Sequence, residues 1–367
     1  MEHLPLTDMR VLDLSRVLAG PLSSMLLGDL GADVIKVERP GKGDETREWG
    51  PPFDARGESA YYLSVNRNKL SIAADLSKEE DRALVLELVR DADVVIENFL
   101  PGALQRLGID SSRELQQNAR LVWCTITGFG DGSVRPGYDF VVQAETGWMA
   151  ITGEPDGSPM KTGVALADIL AGKDATIAIL AALIGRSGKG AARRVTVSLA
   201  DSARAALINV AQNALVSGKD AKRWGNAHAN LVPYQLFQAS DRQIVIAAGN
   251  DAQWVACARA LELGSLAADP ELATNRGRLA RRDFVIGTIA NAVKTRPAAE
   301  WLVRLERAGV PAGIVKGVLE VLRETDASAV TGMPSSIGGL ARMDPPRLDE
   351  HGARIRESGW NVFSGYR

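Results

Sequence analysis

The chain has 367 residues, 46% of them hydrophobic, with 43 Lys and Arg set against 45 Asp and Glu and a formal net charge of −2. That length supplies core for two domains, and the near balance of charge offers neither a basic field for nucleic acid nor an acidic tail. Only two cysteines, Cys124 and Cys257, and three scattered histidines are present, so a disulfide framework and a metal site are not expected; without a signal peptide or a membrane-length apolar run, a cytoplasmic protein is.

The first half alternates strand and helix signals. Val11 to Leu14 reads as a strand, Pro21 to Leu30 as a helix stopped by Gly31, and Asp33 to Glu38 as the next strand. After a Pro- and Gly-rich loop, Ser71 to Leu76 forms a strand, and Ser77 with Glu80 reads as a capping box opening a helix through Arg90. A strand from Asp93 to Phe99, a short helix from Gly102 to Leu107, and strands at Leu121 to Ile126 and Val195 to Leu199 follow. Strands separated by helices of this length predict parallel crossovers, hence a doubly wound, Rossmann-like α/β domain.

Ligands of such sheets bind beyond the carboxyl ends of the strands. No G-x-G-x-x-G follows the first strand; Leu18-Ala19-Gly20-Pro21 stands there instead, which excludes an ordinary dinucleotide fingerprint. Walker A and G-x-S-x-G motifs are also missing. The loops carry cations, Arg16, Arg39, Lys69 beside Asn68, and Arg106 after Asn98-Phe99. Each reads either as a phosphate ligand or as an ordinary solvated charge.

From Ile169 onward, apolar residues at 169, 170, 177, 180 and 183 or 184 predict a helix buried around most of its circumference. Asp168 falls at or near its start, after a turn containing Gly153, Gly157 and Gly163. It reads as a helix N-cap or as a nucleophile kept ionised by the helix dipole.

Asp201 to Ser217 is an Ala-rich connector helix. Tyr234 to Gln238 and Gln243 to Ala248 predict a hairpin, and helices are expected at Gln253 to Leu261, Arg282 to Lys294 and Ala298 to Ala308. The domains expected are therefore 1–200 (large α/β), 201–224 (helical connector), 225–318 (smaller α+β) and 319–367 (a return to the large domain). The tail from Gly359 carries no helix signal.

LSRVLAGPLSSMLLGDLGADVIKVERPGKGDETREWGPP, NRNKLSI, DVVIENFLPGALQRLG, GYDF and the Asp168 stretch together resemble the class III CoA-transferases, which include formyl-CoA and carnitine CoA-transferases. The resemblance implies a coenzyme A site at Ala19, Arg39, Asn68, Lys69, Asn98, Phe99 and Arg106, and a catalytic Asp168 that forms an acyl-aspartyl anhydride and then an aspartyl-CoA thioester. It implies acyl-CoA and carboxylic acid substrates, no metal, and ring-shaped subunits interlocked as a homodimer. An aspartate ionised at neutral pH needs no general base, and an oxyanion would meet backbone N–H groups at the helix start. The related α-methylacyl-CoA racemases carry G-H-D where this chain has Gly137-Tyr138-Asp139, and a phenol is a poor base near pH 7. Tyr138 then covers the pocket or donates a hydrogen bond. A third reading is a non-catalytic acyl-CoA-binding protein, although such a module has no need of Asp168. The small domain lacks the run of consecutive glycines found in formyl-CoA transferase.

Overall fold

The computed structural model describes residues 4–189, 193–325 and 334–366. Its contacts divide into two units: the first takes in the chain up to Met149, residues 161–221 and the C-terminal segment, and the second holds 150–160 and 222–325. No described helix is long and apolar enough to cross a membrane.

In the first unit, strands β1 (Arg10–Asp13), β2 (Asp33–Glu38), β3 (Lys69–Ala73), β4 (Val94–Glu97), β5 (Val122–Thr127) and β6 (Arg193–Ser198) form one sheet in the order β3-β2-β1-β4-β5-β6. Every neighbouring pair is parallel. The doubly wound expectation holds, and the order reverses between β1 and β4, which opens a crevice at their carboxyl ends. Helix α1 (Ala19–Asp29) starts two residues before the expected Pro21, and α2 (Glu79–Arg90) covers the opposite face. The expected capping box is not formed. Ser77 turns back to Asp75, its hydroxyl 2.6 Å from Oδ1, and the cap position falls to Lys78 without a side-chain bond.

Helices α3 (Asp139–Glu145) and α4 (Leu166–Lys189) complete this unit's frame around the site. The buried stripe of α4 is made mostly by alanines, Ala167, Ala171, Ala175 and Ala182, together with Ile179, while Leu180 and Leu183 pack partly buried against it. Ile177 and Ile184 are 64% and 75% exposed, so burial is confined to one face. Small residues let the helices meet closely: a Cβ on Gly172 would come within 2.7 Å of the Ala19 carbonyl oxygen. The expected connector helix is broken into Leu199–Ala205 and Ile208–Ser217, with Ile208 at φ +37°. The tail is helical after all, in Gly352–Ser358 and a 3-10 stretch Gly359–Gly365 that buries Trp360 and Phe363.

The second unit has its own core around Trp254 and Trp301. Strands β7 (Tyr234–Gln238) and β8 (Gln243–Ala247) form the expected hairpin, and β9 (Ala312–Ile314) adds a third antiparallel strand. Helices Asp251–Ala260, Arg282–Val293 and Ala298–Arg307 lie close to their expected bounds.

Buried charge underlies the carboxyl end of β1. Asp13, Lys36 and Lys69 are all fully inaccessible. Lys69 Nζ donates to Asp13 at 3.0 Å, to the Pro21 carbonyl at 2.9 Å and to Asn66 at 2.8 Å. Lys36 Nζ reaches the Ser15 carbonyl at 2.8 Å and Asp44 at 3.0 Å. Burial pulls the Lys69 ammonium down to about 8, with Asp13 opposing it, whereas Asp13, although burial disfavours its charge, is held well below the usual range by Lys69 and Lys36. Lys69→Met therefore strips a buried carboxylate of a partner, and a loss of about 3–5 kcal/mol is expected in denaturant unfolding.

Candidate functional site

Two cavities open at the carboxyl ends of the strands and share Arg16 and Phe99 on their walls. One, of about 300 Å³, contains Asp168 together with Ala19, Asn98, Phe99 and Tyr138. The other, of about 250 Å³, contains Arg39, exposed directly after β2. Five of the nine expected site residues thus meet in one cavity and Arg39 stands in its neighbour. Arg106 is exposed on the one-turn helix Ala103–Arg106 and lines neither.

Asn68 and Lys69 are placed differently. Both are fully buried, and their polar atoms are used within the first unit. Asn68, at φ +61°, donates to Asp29 at 2.8 Å and to the Leu340 carbonyl at 2.7 Å, and its Oδ1 accepts from the Arg342 and Met343 backbone N–H groups. It ties the C-terminal segment to the sheet. Asn98 is also occupied: its Oδ1 accepts from the Arg16 N–H at 3.0 Å and its Nδ2 donates to the Arg16 carbonyl at 2.8 Å. This two-way clamp joins the loops after β4 and β1 at the point where the strand order reverses.

Asp168 is not the N-cap of its helix. The helix begins at Leu166, and the cap comes from Asp139 at the start of α3, whose Oδ1 accepts from the Ala167 N–H at 2.7 Å. Gln143, one turn along α3, donates to Asp139 Oδ2 at 2.6 Å and accepts from the Thr162 N–H at 2.9 Å. Together these two side chains bracket the approach to Asp168. Asp139 is positioned by a glycine contact, since a Cβ on Gly137 would sit 2.1 Å from the Gly128 Cα. The role of Asp139 was legible only as the third letter of GYD; no local signal shows that it caps a helix far along the chain.

The carboxylate of Asp168 is half-buried and accepts no hydrogen bond from any described residue. Desolvation, and secondarily the charge of Asp139, push its pKa up to about 7. The expectation of an aspartate fully ionised by the helix dipole is thereby corrected. The dipole contributes about 0.3–1 kcal/mol, less than one pKa unit, whereas burial moves such groups by several. The helix start is also poor in free donors: the N–H groups of Leu166, Ala167 and Ile169 bond to Val164, Asp139 and Ala165. The Tyr61 phenol responds to the same carboxylates, pushed up to about 12 by burial first and then by Asp168, Asp139 and Asp44. Among the described residues, no His, Cys, Asp or Glu group is arranged to hold a metal.

Asn at position 139 keeps an acceptor for the Ala167 N–H and removes the charge. In Asp139→Asn the Asp168 pKa is accordingly expected below its wild-type value in a carboxyl-carbon NMR titration; an unchanged midpoint leaves desolvation as the sole cause.

Residues 6–338 match the model of CoA-transferase family III. The succinate–glutarate CoA-transferase of Agrobacterium fabrum is 43% identical over 89% of this chain and 83% of its own length. The acetyl-CoA:oxalate CoA-transferase of Acetobacter aceti is 37% identical over 96% of this chain and 95% of its own. Among solved structures, a CaiB/BaiF family protein from Brucella suis superposes with a TM-score of 0.88 at 42% identity, covering 97% of this chain and 99% of that one. The chain, with a carboxylate on the wall of a crevice at the strand ends, therefore belongs to CoA-transferase family III.

Proposed function

We propose that this enzyme moves coenzyme A from an acyl-CoA to a free carboxylic acid through covalent intermediates on Asp168. The observation that carries this reading is a half-buried carboxylate with no hydrogen-bond donor on it, facing a cavity walled by Ala19, Phe99 and Leu199. Desolvation strips the hydration that blunts a carboxylate's attack, and a pKa of about 7 leaves a large ionised fraction at neutral pH.

In the proposed sequence an Asp168 oxygen attacks the thioester carbonyl, and CoA leaves as its thiolate, giving a mixed anhydride. The thiolate attacks the Asp168 carbonyl carbon and expels the first acid as its carboxylate, giving an aspartyl-CoA thioester. The acceptor carboxylate displaces the thiolate to form a second anhydride, and the thiolate then takes the acceptor's acyl group and frees Asp168. No net proton is consumed. In this reading the CoA nucleotide lies in the Arg39 cavity and the thioester beside Asp168, with the intervening chain passing Arg16 and Phe99, which border both cavities. Asn98, Asn68 and Lys69 act as supports for these loops. The acid class inferred is dicarboxylic, in line with the names of the succinate–glutarate and oxalate relatives. Exposed Ile177, Ile184, Ile208, Leu215 and Val216 on the helices of the first unit support association of two copies.

Asp168→Asn is expected to keep the fold and CoA affinity while transfer falls by several orders of magnitude. Hydroxylamine added during turnover of the wild type should convert Asp168 to a hydroxamate, detected by peptide mass; an active Asn variant, or turnover without this mark, defeats the mechanism. Arg39→Ala should weaken CoA binding by about 1.5–3 kcal/mol in calorimetry, the scale of a hydrogen bond to a charged group.

A further inference from the structure

Arg16 is held with more care than a surface cation requires. Its backbone N–H and carbonyl are both taken by the Asn98 amide. The next residue, Val17, has φ +71°, a conformation unfavourable for a β-branched side chain. That strained turn is secured by Asp44, whose two carboxylate oxygens each lie 3.3 Å from the Val17 N–H, and Asp44 is anchored by the buried Lys36.

The guanidinium at the end of this fixed backbone is underused. It makes no hydrogen bond to any described residue, and its nearest carboxylate, Glu45, is 3.8 Å away. Its Cζ lies 5.6 Å from the centre of the Phe99 ring, within cation–π range. Arg135, the other arginine on the Asp168 cavity, is engaged: its Nη2 is 2.6 Å from Glu145, and its Cζ is 4.1 Å from the Phe129 ring. Of the two, Arg16 is the one whose guanidinium hydrogen-bonds to no described residue and is paired only at 3.8 Å, with Glu45.

We propose that Arg16 holds the second carboxylate of a dicarboxylic acyl group, and so selects dicarboxylic over monocarboxylic substrates at the Asp168 cavity. This rests on the transfer reading above and deepens it. A monocarboxylic acyl-CoA presents no charge beyond its thioester on the acyl side, whereas a dicarboxylic one presents a carboxylate that a guanidinium grips through two parallel bonds. The other anion within reach of this residue is a CoA phosphate, since Arg16 also borders the Arg39 cavity.

The test compares wild type with Arg16→Gln and Arg16→Lys on succinyl-CoA with glutarate and on butyryl-CoA with valerate, and measures CoA affinity by calorimetry. In Arg16→Gln, kcat/KM for the dicarboxylic pair is expected to fall about 10- to 100-fold further than kcat/KM for the monocarboxylic pair, so the ratio of the two, rather than either activity alone, reads the role. Arg16→Lys should recover part of the loss, because charge returns without the fork. Equal losses on both pairs with weakened CoA binding assign Arg16 to a phosphate and overturn the proposal, as does unchanged selectivity. Hydroxylamine trapping with succinyl-CoA alone separates the two levels. Labelled Asp168 with selectivity unmoved by the substitution defeats only the role of Arg16; a wild type that never labels defeats the transfer reading and this one together.

Discussion

The cluster of Asp13, Lys36 and Lys69 is the constraint on which the site depends. Two ammonium groups flank a carboxylate where no water reaches, an arrangement tolerable only because the groups satisfy one another and nearby carbonyls. Each bond ends on a piece of the future site. Lys69 fixes the Pro21 carbonyl in the first turn of α1; Lys36 fixes the Ser15 carbonyl and Asp44. The segment 15–19 gives Ser15 and Arg16 to one cavity and Arg16, Val17 and Ala19 to the other, and buried charge fixes it from beneath.

A second carboxylate pair does different work. Asp139 satisfies the start of α4 as a cap does, but from another helix, and so brings its negative charge to the neighbourhood of Asp168. The same group thus fixes the start of α4 and raises the proton affinity of Asp168. Gln143 completes the bracket by holding Thr162, which fixes the extended segment entering α4. Position and basicity are therefore coupled through one side chain.

The order of strands and helices was readable because hydrophobic spacing and breakers are local signals, and most elements of the sheet fell within a few residues of expectation. The long motifs also identified the family. What local signals could not convey was who bonds to whom. Asn68, Lys69 and Asn98 stand in motifs associated with coenzyme A, yet their amides and ammonium are spent on Asp29, Asp13 and the Arg16 backbone, partners 39, 56 and 82 residues away. The apolar pattern of α4 misled for a related reason: alanine, weakly weighted in a hydrophobic pattern, makes most of the close contacts, while Ile177 and Ile184 point outward. The expected ionisation of Asp168 failed because desolvation depends on packing that no spacing reveals.

Gly128 and Gly137 touch through their α-carbons, with no side chain between them. The chain leaves β5, runs through residues 129–136 and returns to nearly the same point before Tyr138 and Asp139. Such a loop is closed at its neck. The loop contributes Ser133, Arg135 and Pro136 to the cavity wall and ties back to α3 through Arg135 and Glu145. The fold therefore separates part of the cavity wall from the frame that holds Asp139 and Asp168: the one lies within a loop closed at its neck, the other outside it.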